Sequence, residues 1–319
     1  MSHAPIIAIG GENLIDRVQS NAPDGTLTVV NNPGGSPFNV AVALSRQEGQ
    51  AHYLTPISTD DMGDLLANRL SEADVLIAAP RRDEPTTLAI VTLQDGIPTY
   101  DFKRDGTAER CITKTGLAAA MADATAAFHV GSLALIDGDD AAEWEAFFHD
   151  AKQNGIFTSL DPNVRASLIK DGAAYRERLF RMFKTADLIK LSDEDLEWIY
   201  PDLSLEEAYE KLDSVAEAGL VVLTKGADGA KAKNAEHHVQ ITAPKVNDLK
   251  DTIGAGDTFM GTLLATLAAQ GALQSGALSA MDEQALSSLL GRAAKAAALN
   301  CEQEGCNPPT LSALDAALI

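Results

Sequence analysis

Residues 127–160, AFHVGSLALIDGDDAAEWEAFFHDAKQNGIFTSL, decide the fold class. The apolar runs 127–130 and 157–160 have the length of buried strands, and residues 140–153 between them have the apolar spacing of a helix. A strand, a helix and a second strand in this order predict two parallel strands covered by the helix. The alternation continues in helices at 173–183 and 205–218 and in strands at 188–191 and 220–223. The chain is therefore expected to form a parallel sheet with helices on both faces.

A smaller sheet is expected from two stretches nearer the N-terminus. Residues 26–30 and 87–104 favour β structure, and Asp95-Gly96 divides the second stretch as a hairpin turn does. Both stretches predict a small antiparallel sheet built from insertions at about 14–33 and 86–106. The predicted fold class is α/β: a three-layer, mostly parallel sheet with helices on both faces, plus a small β-sheet lid, in a single domain.

The first predicted strand, 6–9, ends at Gly10-Gly11 and is followed by a loop and a helix. Ser36 is the predicted N-cap of that helix, Pro37 is its first helical residue, and Gly49 follows its end. Ligands of open α/β sheets bind beyond the carboxyl ends of the strands. The loops expected to carry the chemistry therefore follow Gly10, Val130, Leu160, Leu191 and Leu223.

The charge and composition of the chain limit its partners. The chain has 25 Lys and Arg residues and 46 Asp and Glu residues, which gives a formal net charge of −21. Nucleic acid would meet a surface of its own sign, so nucleic-acid binding is not expected. No apolar run approaches the ~18 residues of a spanning helix and no basic leader precedes the first strand, so no membrane partner is expected. The three cysteines, Cys111, Cys301 and Cys306, indicate a reducing compartment and predict a cytoplasmic location.

The segment 251–257, Asp-Thr-Ile-Gly-Ala-Gly-Asp, carries the most chemical information. Gly254, Ala255 and Gly256 let the backbone approach a ligand, and the free N–H groups of a helix start attract an anion. Asp257 would repel a bound phosphate, so its presence is explained if it accepts a proton from a hydroxyl that attacks that phosphate. The alternative is that Asp257 only caps the helix. The neighbouring glycines and Asp251 favour the general base.

A second group of residues suits a sugar. Glu12 and Asp16 lie in the loop predicted after the first strand, and Gly34-Gly35 and Asn39 lie at the start of the next helix. Carboxylates accept pairs of hydroxyl donors, and glycine N–H groups and an amide supply complementary partners. Taken singly, the glycines form a turn and Asn39 is a surface residue. Their combination favours a polyol site.

Residues 34–41, Gly-Gly-Ser-Pro-Phe-Asn-Val-Ala, and the segment 251–257 resemble the two signatures of the ribokinase-like (PfkB) carbohydrate kinases. The resemblance spans nearly the whole chain, and its landmarks fall in family order. Residues 57–63 resemble the family's strand-to-helix step, and 161–165, Asp-Pro-Asn-Val-Arg, match its Asp-x-Asn-x-Arg loop. Residues 192–195, Ser-Asp-Glu-Asp, take the place of its Asn-x-x-Glu segment and differ from it at both ends.

The resemblance implies that ATP phosphorylates a sugar hydroxyl, with Asp257 as general base and the N–H groups of Gly254, Ala255 and Gly256 as the anion hole. It implies Mg²⁺ near Asp195. The implied sugar-binding residues are Glu12, Asp16, Gly34, Gly35, Asn39, Tyr100, Phe102, Arg104, Asn163, Arg165 and Asp257. The implied nucleotide-binding residues are Ser192, Thr224, Gly226, Gly229, Gly254, Gly256 and Asn300. The ligands implied for a monovalent cation, K⁺, are Asp251, Ile253, Asn300, Gln303 and Gly305.

The choice of substrate rests on similarity within the family. Residues 300–309 and 11–16 resemble the bacterial fructokinases, which implies D-fructose phosphorylated at its 6-hydroxyl. The alternatives are 2-keto-3-deoxygluconate kinase, whose carboxylate substrate Lys103 and Arg104 could serve, and ribokinase. A nucleoside kinase is less favoured because no further aromatic pair stands in the N-terminal half. An exposed sheet edge in the lid needs covering, which predicts a homodimer through the lid.

Two other classes of function were weighed against a kinase. A sugar or nucleotide sensor without turnover would have no use for Asp257 beside an anion site. A NAD-dependent oxidoreductase is disfavoured because no GxGxxG motif follows the first strand. No GxxxxGK[ST] motif is present either, so a Walker-type phosphate loop is excluded.

Overall fold

Two sheets organise the part of the chain that the computed structural model describes, residues 4–21, 27–94 and 97–319. The strands, in chain order, are β1 (Ile6–Gly10), β2 (Leu14–Asn21), β3 (Leu27–Gly34), β4 (Gln50–Tyr53), β5 (Leu76–Ile77), β6 (Thr87–Gln94), β7 (Ile97–Lys103), β8 (Thr125–Gly131), β9 (Phe157–Asp161), β10 (Leu188–Ser192), β11 (Leu220–Thr224), β12 (Ala230–Lys233) and β13 (His238–Ile241). The α-helices are α1 (Ser36–Arg46), α2 (Asp61–Glu72), α3 (Lys114–Ala120), α4 (Gly138–Gln153), α5 (Gly172–Phe183), α6 (Asp193–Ile199), α7 (Leu205–Val215), α8 (Ala255–Ala269), α9 (Glu283–Cys301) and α10 (Leu311–Ala317).

The larger sheet confirms the predicted α/β class. Its strand order is β13-β12-β11-β10-β9-β8-β1-β4-β5. All neighbours from β5 to β11 are parallel, and only β12 and β13 pair antiparallel. The carboxyl ends of β1, β8, β9, β10 and β11 therefore meet at one edge, where a ligand is expected.

Helices cover both faces of this sheet because its strands are apolar on both sides. Ile7 and Ile9 of β1 join one core cluster with α1, α8 and α9, whereas Ala8 joins the opposite cluster with α4 and α5. Successive side chains of a strand point to opposite faces, so a continuous apolar run fills both cores. Each buried Leu or Ile side chain contributes about 1.5–3 kcal/mol.

The second sheet, β3-β2-β6-β7, corrects one prediction. We expected an antiparallel sheet, but its central strands β2 and β6 run parallel, with Leu14 opposite Thr87. Strand β2 was missed because its sequence, LIDRVQSN, is mostly polar beyond its first two residues. The outer pairs β2–β3 and β6–β7 are antiparallel, and the predicted turn Asp95-Gly96 between β6 and β7 lies outside the described residues.

The start of α1 also differs from the prediction. Gly35, with φ 112°, is the N-cap, so Ser36 and Pro37 are the first two helical residues. The Ser36 N–H donates to Oε1 of Glu12 at 2.8 Å, which means that a distant carboxylate does the capping. The Ser36 hydroxyl is thereby left available for another partner. In the described part of the chain, no helix has the length and apolarity that a membrane crossing requires.

Candidate active site

Asp257, the third residue of α8, has a carboxylate that joins three parts of the chain. Its Oδ1 accepts a hydrogen bond from Oγ of Ser36 at 2.7 Å, and its Oδ2 accepts one from Nδ2 of Asn39 at 2.8 Å. Nδ2 of Asn163, after β9, lies 3.4 Å from Oδ1. These bonds fix the carboxylate against α1, so its partners are not those of a helix cap. The capping alternative considered from the sequence does not account for this geometry.

The surroundings of Asp257 suit a proton acceptor. Burial raises the pKa of its carboxyl, while the hydrogen bonds from Asn39 and Ser36 and the charges of Lys190 and Arg165 lower it; the net shift is upward. A carboxylate with a raised pKa is a stronger base than an ordinary aspartate, provided that it remains ionised.

The start of α8 offers unpartnered backbone donors. Gly254 is the N-cap in the left-handed region, with φ 73°, and a Cβ at this position would collide with Sγ of Cys306. The Ala255 N–H donates to the Thr252 carbonyl at 3.2 Å. Among the described hydrogen bonds, the N–H groups of Gly254, Gly256 and Asp257 have no acceptor. A helix start with free N–H groups is a binding site for an anion, although Ala255 contributes less than we predicted.

A cavity of about 1140 Å³ lies in front of these groups. Its volume is above the range of an ordinary small-ligand pocket. Most of the predicted sugar-binding and anion-binding residues line it: Glu12, Asp16, Gly34, Gly35, Asn39, Phe102, Asn163, Arg165, Gly254, Ala255, Gly256 and Asp257. The predicted cation residues Asp251, Ile253 and Gly305 line it as well. Residues separated by more than 200 positions thus share one wall.

The two N-terminal carboxylates of the cavity differ. Glu12 is buried, and burial raises its pKa to about 7; its Oε2 has no partner among the described residues. Asp16 is partly buried, and burial raises its pKa to about 6 against the opposing charge of Arg165. No described donor bonds the Asp16 carboxylate, and a Cβ on Gly34 would lie 2.8 Å from its Oδ2. Glu12 thus caps α1 through Oε1, whereas both oxygens of Asp16 are available as acceptors, and the sugar-binding role of Asp16 stays a prediction.

The predicted residues of β7 separate into different environments. Phe102 lines the cavity, whereas Arg104 does not. Nε of Arg104 donates to Oε1 of the buried Glu109 at 2.8 Å. Lys103 pairs with Asp101 at 2.7 Å on the surface. The side chain of Tyr100 lies outside the described part of the structure.

The loop after β9 is tied to α6 by Asp195. Its Oδ1 accepts the Val164 N–H at 2.6 Å, and its Oδ2 accepts the Ser192 N–H at 2.8 Å in a capping box. Nη1 of Arg165 donates to Oδ1 of Asn163 at 2.6 Å. Asp195 thus supports the loop that carries Asn163 and Arg165, and its role near Mg²⁺ stays a prediction.

The predicted nucleotide residues stand farther along the same edge. Ser192 and Thr224 are register partners at the ends of β10 and β11, and the Thr224 hydroxyl donates to the Leu191 carbonyl at 3.3 Å. Gly226 and Gly229 have φ of 50° and 96°, and a Cβ on Gly229 would collide with the Ile241 carbonyl. This turn does not line the cavity. It continues the carboxyl edge beyond the cavity.

The predicted cation residues form a connected loop beside α8. Asp251 accepts the Ile253 N–H at 2.9 Å and the Gly305 N–H at 3.1 Å. Nδ2 of Asn300 donates to the Ile253 carbonyl at 2.8 Å, and Gln303 is exposed. No group of three or more His, Cys, Asp or Glu residues suited to a metal occurs in the described ranges. The K⁺ ligands stay a prediction.

Similarity to known proteins extends over nearly the whole chain. The sequence profile described as "pfkB family carbohydrate kinase" matches residues 12–313. The chain belongs to this family. The prediction of an ATP-dependent carbohydrate kinase is thereby confirmed.

Individual relatives of this pfkB chain agree with that assignment. It is 35% identical over 283 residues to the fructokinase of Rhizobium leguminosarum bv. trifolii. The aligned region covers 86% of this chain and 84% of the relative. The crystal structure of a fructokinase with bound ATP from Xylella fastidiosa matches with a TM-score of 0.87 and 27% identity over 98% of each chain. An aminoimidazole riboside kinase from Salmonella enterica shares the fold, with a TM-score of 0.79 and 20% identity over 98% of this chain and 99% of that one. Proteins named for different substrates share this fold, so the substrate must be argued from the cavity.

Sequence reasoning missed two residues near Asp257. Ser36 is the predicted N-cap of α1, yet its hydroxyl donates to the Asp257 carboxylate. Lys190 lies within the predicted strand 188–191 and was not singled out from the sequence, yet it is buried and paired with Asp161 at 2.9 Å. A lysine inside the apolar strand Leu188–Ser192 is itself a signal, because a buried ammonium requires a carboxylate partner.

Proposed function

We propose that this chain is a fructokinase that transfers the γ-phosphate of ATP to the 6-hydroxyl of D-fructose. The observation that carries the proposal is the Asp257 carboxylate, held by Ser36 and Asn39 beside unpartnered N–H groups at the start of α8. The names of the relatives support the choice of sugar.

The residues divide the work as follows. Asp16, which has no described donor, binds sugar hydroxyls together with Asn39, and this places the 6-hydroxyl near Asp257. The hydroxyl oxygen attacks the γ-phosphorus, its proton passes to Asp257, and ADP leaves. The N–H groups of Gly254 and Gly256 offset the charge that develops on the phosphoryl oxygens. The second sheet acts as a lid that keeps water from the phosphoryl group.

Two ions belong to this proposal. Mg²⁺ binds mainly through substrate phosphates and retained waters, so it enters with ATP and neutralises phosphate charge. Asp195 would meet it through water, because both of its oxygens already accept backbone N–H groups. K⁺ would bind at the loop of Asp251, Ile253 and Gly305, where it adds positive potential beside the anion hole.

The carboxylate substrate of a 2-keto-3-deoxygluconate kinase is less well served. Lys103 and Arg104, on which that alternative depended, are both engaged by carboxylates. Arg69 and Arg165 line the cavity, so these are the cations that such a substrate would have to use. Fructose, which carries no charge, makes no such demand.

We also propose a homodimer through the lid. Strand β3 is an edge strand of the second sheet, and Val29 and Val30 are exposed by 42% and 48%. An exposed apolar edge strand favours pairing with a second copy. Light scattering that gives a monomer mass at all concentrations would contradict this arrangement.

The test of the function is ADP release from MgATP and K⁺ with fructose, 2-keto-3-deoxygluconate, ribose, glucose or adenosine as acceptor. We expect fructose to be the preferred substrate. Asp257→Asn keeps the shape of the side chain but removes the base, so turnover should fall about a hundredfold or more while fructose still binds. Fructose binding without ADP release in the wild type would favour a sensor. Full activity of the variant would exclude Asp257 as the base.

A further inference from the structure

A buried ion pair lies behind the start of α8. Lys190 of β10 is 4% exposed, and its Nζ lies 2.9 Å from Oδ2 of Asp161, the last residue of β9. A Cβ placed on Gly256 would lie 3.1 Å from that Nζ, so the ammonium sits directly behind the second residue of α8. Neither member of the pair lines the cavity. Any effect of this pair on the reaction is therefore indirect.

The pair is embedded in an excess of negative charge. Burial alone would lower the pKa of Lys190, but Asp161, Asp195 and Asp257 raise it, so the ammonium stays charged. The neighbouring His129 on β8 is buried, and burial lowers its pKa to about 3, so it adds no charge. Lys190 is thus the buried cation among three carboxylates.

Asp161 has a bonding capacity that the protein does not use. Its Oδ1 is buried and has no hydrogen-bond partner among the described residues. A buried oxygen without a hydrogen-bond partner costs free energy of folding. Burial raises the pKa of this carboxyl to about 6, opposed by the charge of Lys190 and increased further by Asp195 and Asp257. A pair kept only for stability would be expected to satisfy both oxygens.

We propose that Lys190 and Asp161 are positioning residues for phosphoryl transfer. Lys190 keeps Asp257 ionised and offsets the negative charge of the carboxylates behind the anion hole. Asp161 holds the Lys190 ammonium behind Gly256. The inference rests on the proposed function of Asp257 as general base. The charged groups that face Asp257 are Lys190 and Arg165 on the positive side and Asp161 on the negative side. The Cys306 thiol also lies near Asp257, and burial together with the Asp257 charge raises its pKa, so it stays neutral. Without Lys190, the anion hole would lie in front of uncompensated carboxylates.

Opposite substitutions test the proposal. Lys190→Met removes the positive charge, so kcat should fall about tenfold to a hundredfold and the acid limb of its pH profile should move up by about one pH unit. Asp161→Asn removes a negative charge but leaves an acceptor for Lys190, so the acid limb should move down. The double variant should return the limb towards its wild-type position. The KM for fructose should change less than about twofold, because neither residue lines the cavity.

Lys152→Met is the matched control. Lys152 and Asp187 form an ion pair at 2.5 Å near the opposite ends of the same strands. Its loss should leave the pH profile of kcat unchanged. Shifts in the same direction for Lys190→Met and Asp161→Asn, or an unchanged kcat for Lys190→Met, would overturn the proposal.

A second readout keeps the test independent of turnover and of failed folding. The titration of the Asp257 carboxyl carbon, followed by ¹³C NMR in the variants that melt cooperatively, should shift up without Lys190 and down without Asp161. If the wild type phosphorylates no sugar of the panel, the proposed function fails, and this titration still decides the charge relation. If the wild type is active and the titration does not move, only the present inference fails.

Discussion

A lysine–aspartate ion pair lies near each end of strands β9 and β10, and the carboxylates of the two pairs differ in how many hydrogen bonds they accept. At the amino end, Asp187 accepts from Lys152 at 2.5 Å through Oδ1, and from the N–H and hydroxyl of Thr158 at 2.9 and 3.2 Å through Oδ2. At the carboxyl end, Asp161 bonds Lys190 through one oxygen only. At the amino end both carboxylate oxygens of Asp187 accept hydrogen bonds within the protein, whereas at the carboxyl end Oδ1 of Asp161 accepts none from the described residues.

The same contrast extends along the carboxyl edge. Oε2 of Glu12, the carboxylate of Asp16 and the N–H groups of Gly254 and Gly256 lack partners in the described structure. Buried polar groups are normally paired because an unpaired group costs free energy. Unpaired groups that converge on one cavity are therefore best explained by a ligand that completes them.

Gly254→Ala should have the largest effect among the variants that test this contrast. The substitution strains a residue at φ 73° and drives its Cβ into Cys306, which moves the donors at the start of α8. Turnover should fall about a hundredfold, as for loss of an oxyanion donor, and the melting temperature should also fall.

The control for this prediction is Gly271→Ala. Gly271 has a similar φ of 66°, but no atom lies within 4 Å of its Cβ position. The Gly271→Ala variant should lose about 1–2 kcal/mol of stability, because alanine is strained in the left-handed region, and it should keep its activity. Steady-state kinetics and thermal melting measure both quantities. Equal losses of turnover in the two variants would show that the start of α8 has no special role.

Asp16→Asn and Asp187→Asn should divide affinity from stability. Asp16 has no described donor, so its substitution should raise the KM for fructose about tenfold, with little change in melting temperature. Asp187→Asn disturbs three bonds at the amino end and should cost about 1–3 kcal/mol of stability, with an unchanged KM. A stability loss for Asp16→Asn together with a changed KM for Asp187→Asn would contradict the assignment of ligand binding to the carboxyl end of the sheet and of stability to the amino end.

The parts of the molecule that could be predicted are those determined by patterns in contiguous residues. The parallel sheet follows from apolar runs alternating with helical spacing, and the anion site follows from Gly254 to Asp257 because a helix start presents its own N–H groups. The proposed sugar-binding residues Asp16 and Asn39 could be grouped because each lies near the end of a predicted strand or helix, and both line the cavity.

The unpredicted parts depend on contacts between distant residues. Ser36 meets Asp257 across 221 positions, and Glu12 replaces Ser36 as the cap of α1 from 24 positions away. Arg104 was expected at the sugar, yet Glu109 and the acidic residues near α4 hold it instead. A local sequence pattern indicates which side chains can form hydrogen bonds or ion pairs, but their partners depend on how distant segments pack together.

The pH dependence of stability tests whether the buried carboxyl groups at the carboxyl edge of the sheet destabilise the folded chain when no ligand is bound. Burial raises the pKa of Glu12 from its ordinary value of 4.5, which applies in the unfolded chain, to about 7 in the folded chain. Between these values the folded state binds more protons than the unfolded state, so stability should fall as the pH rises from about 4.5 to 7. Each group contributes a slope of at most about 1.4 kcal/mol per pH unit.

Glu12→Gln keeps an acceptor for the Ser36 N–H and removes the titration. Chemical denaturation at several pH values should therefore give a flatter stability profile between pH 4.5 and 7 for this variant than for the wild type. Asp16, whose pKa is raised to about 6, should leave a smaller residual slope that ends at lower pH. An unchanged slope in Glu12→Gln would mean that the buried carboxyl is not strained, and that the contrast between the two ends of the sheet does not extend to Glu12.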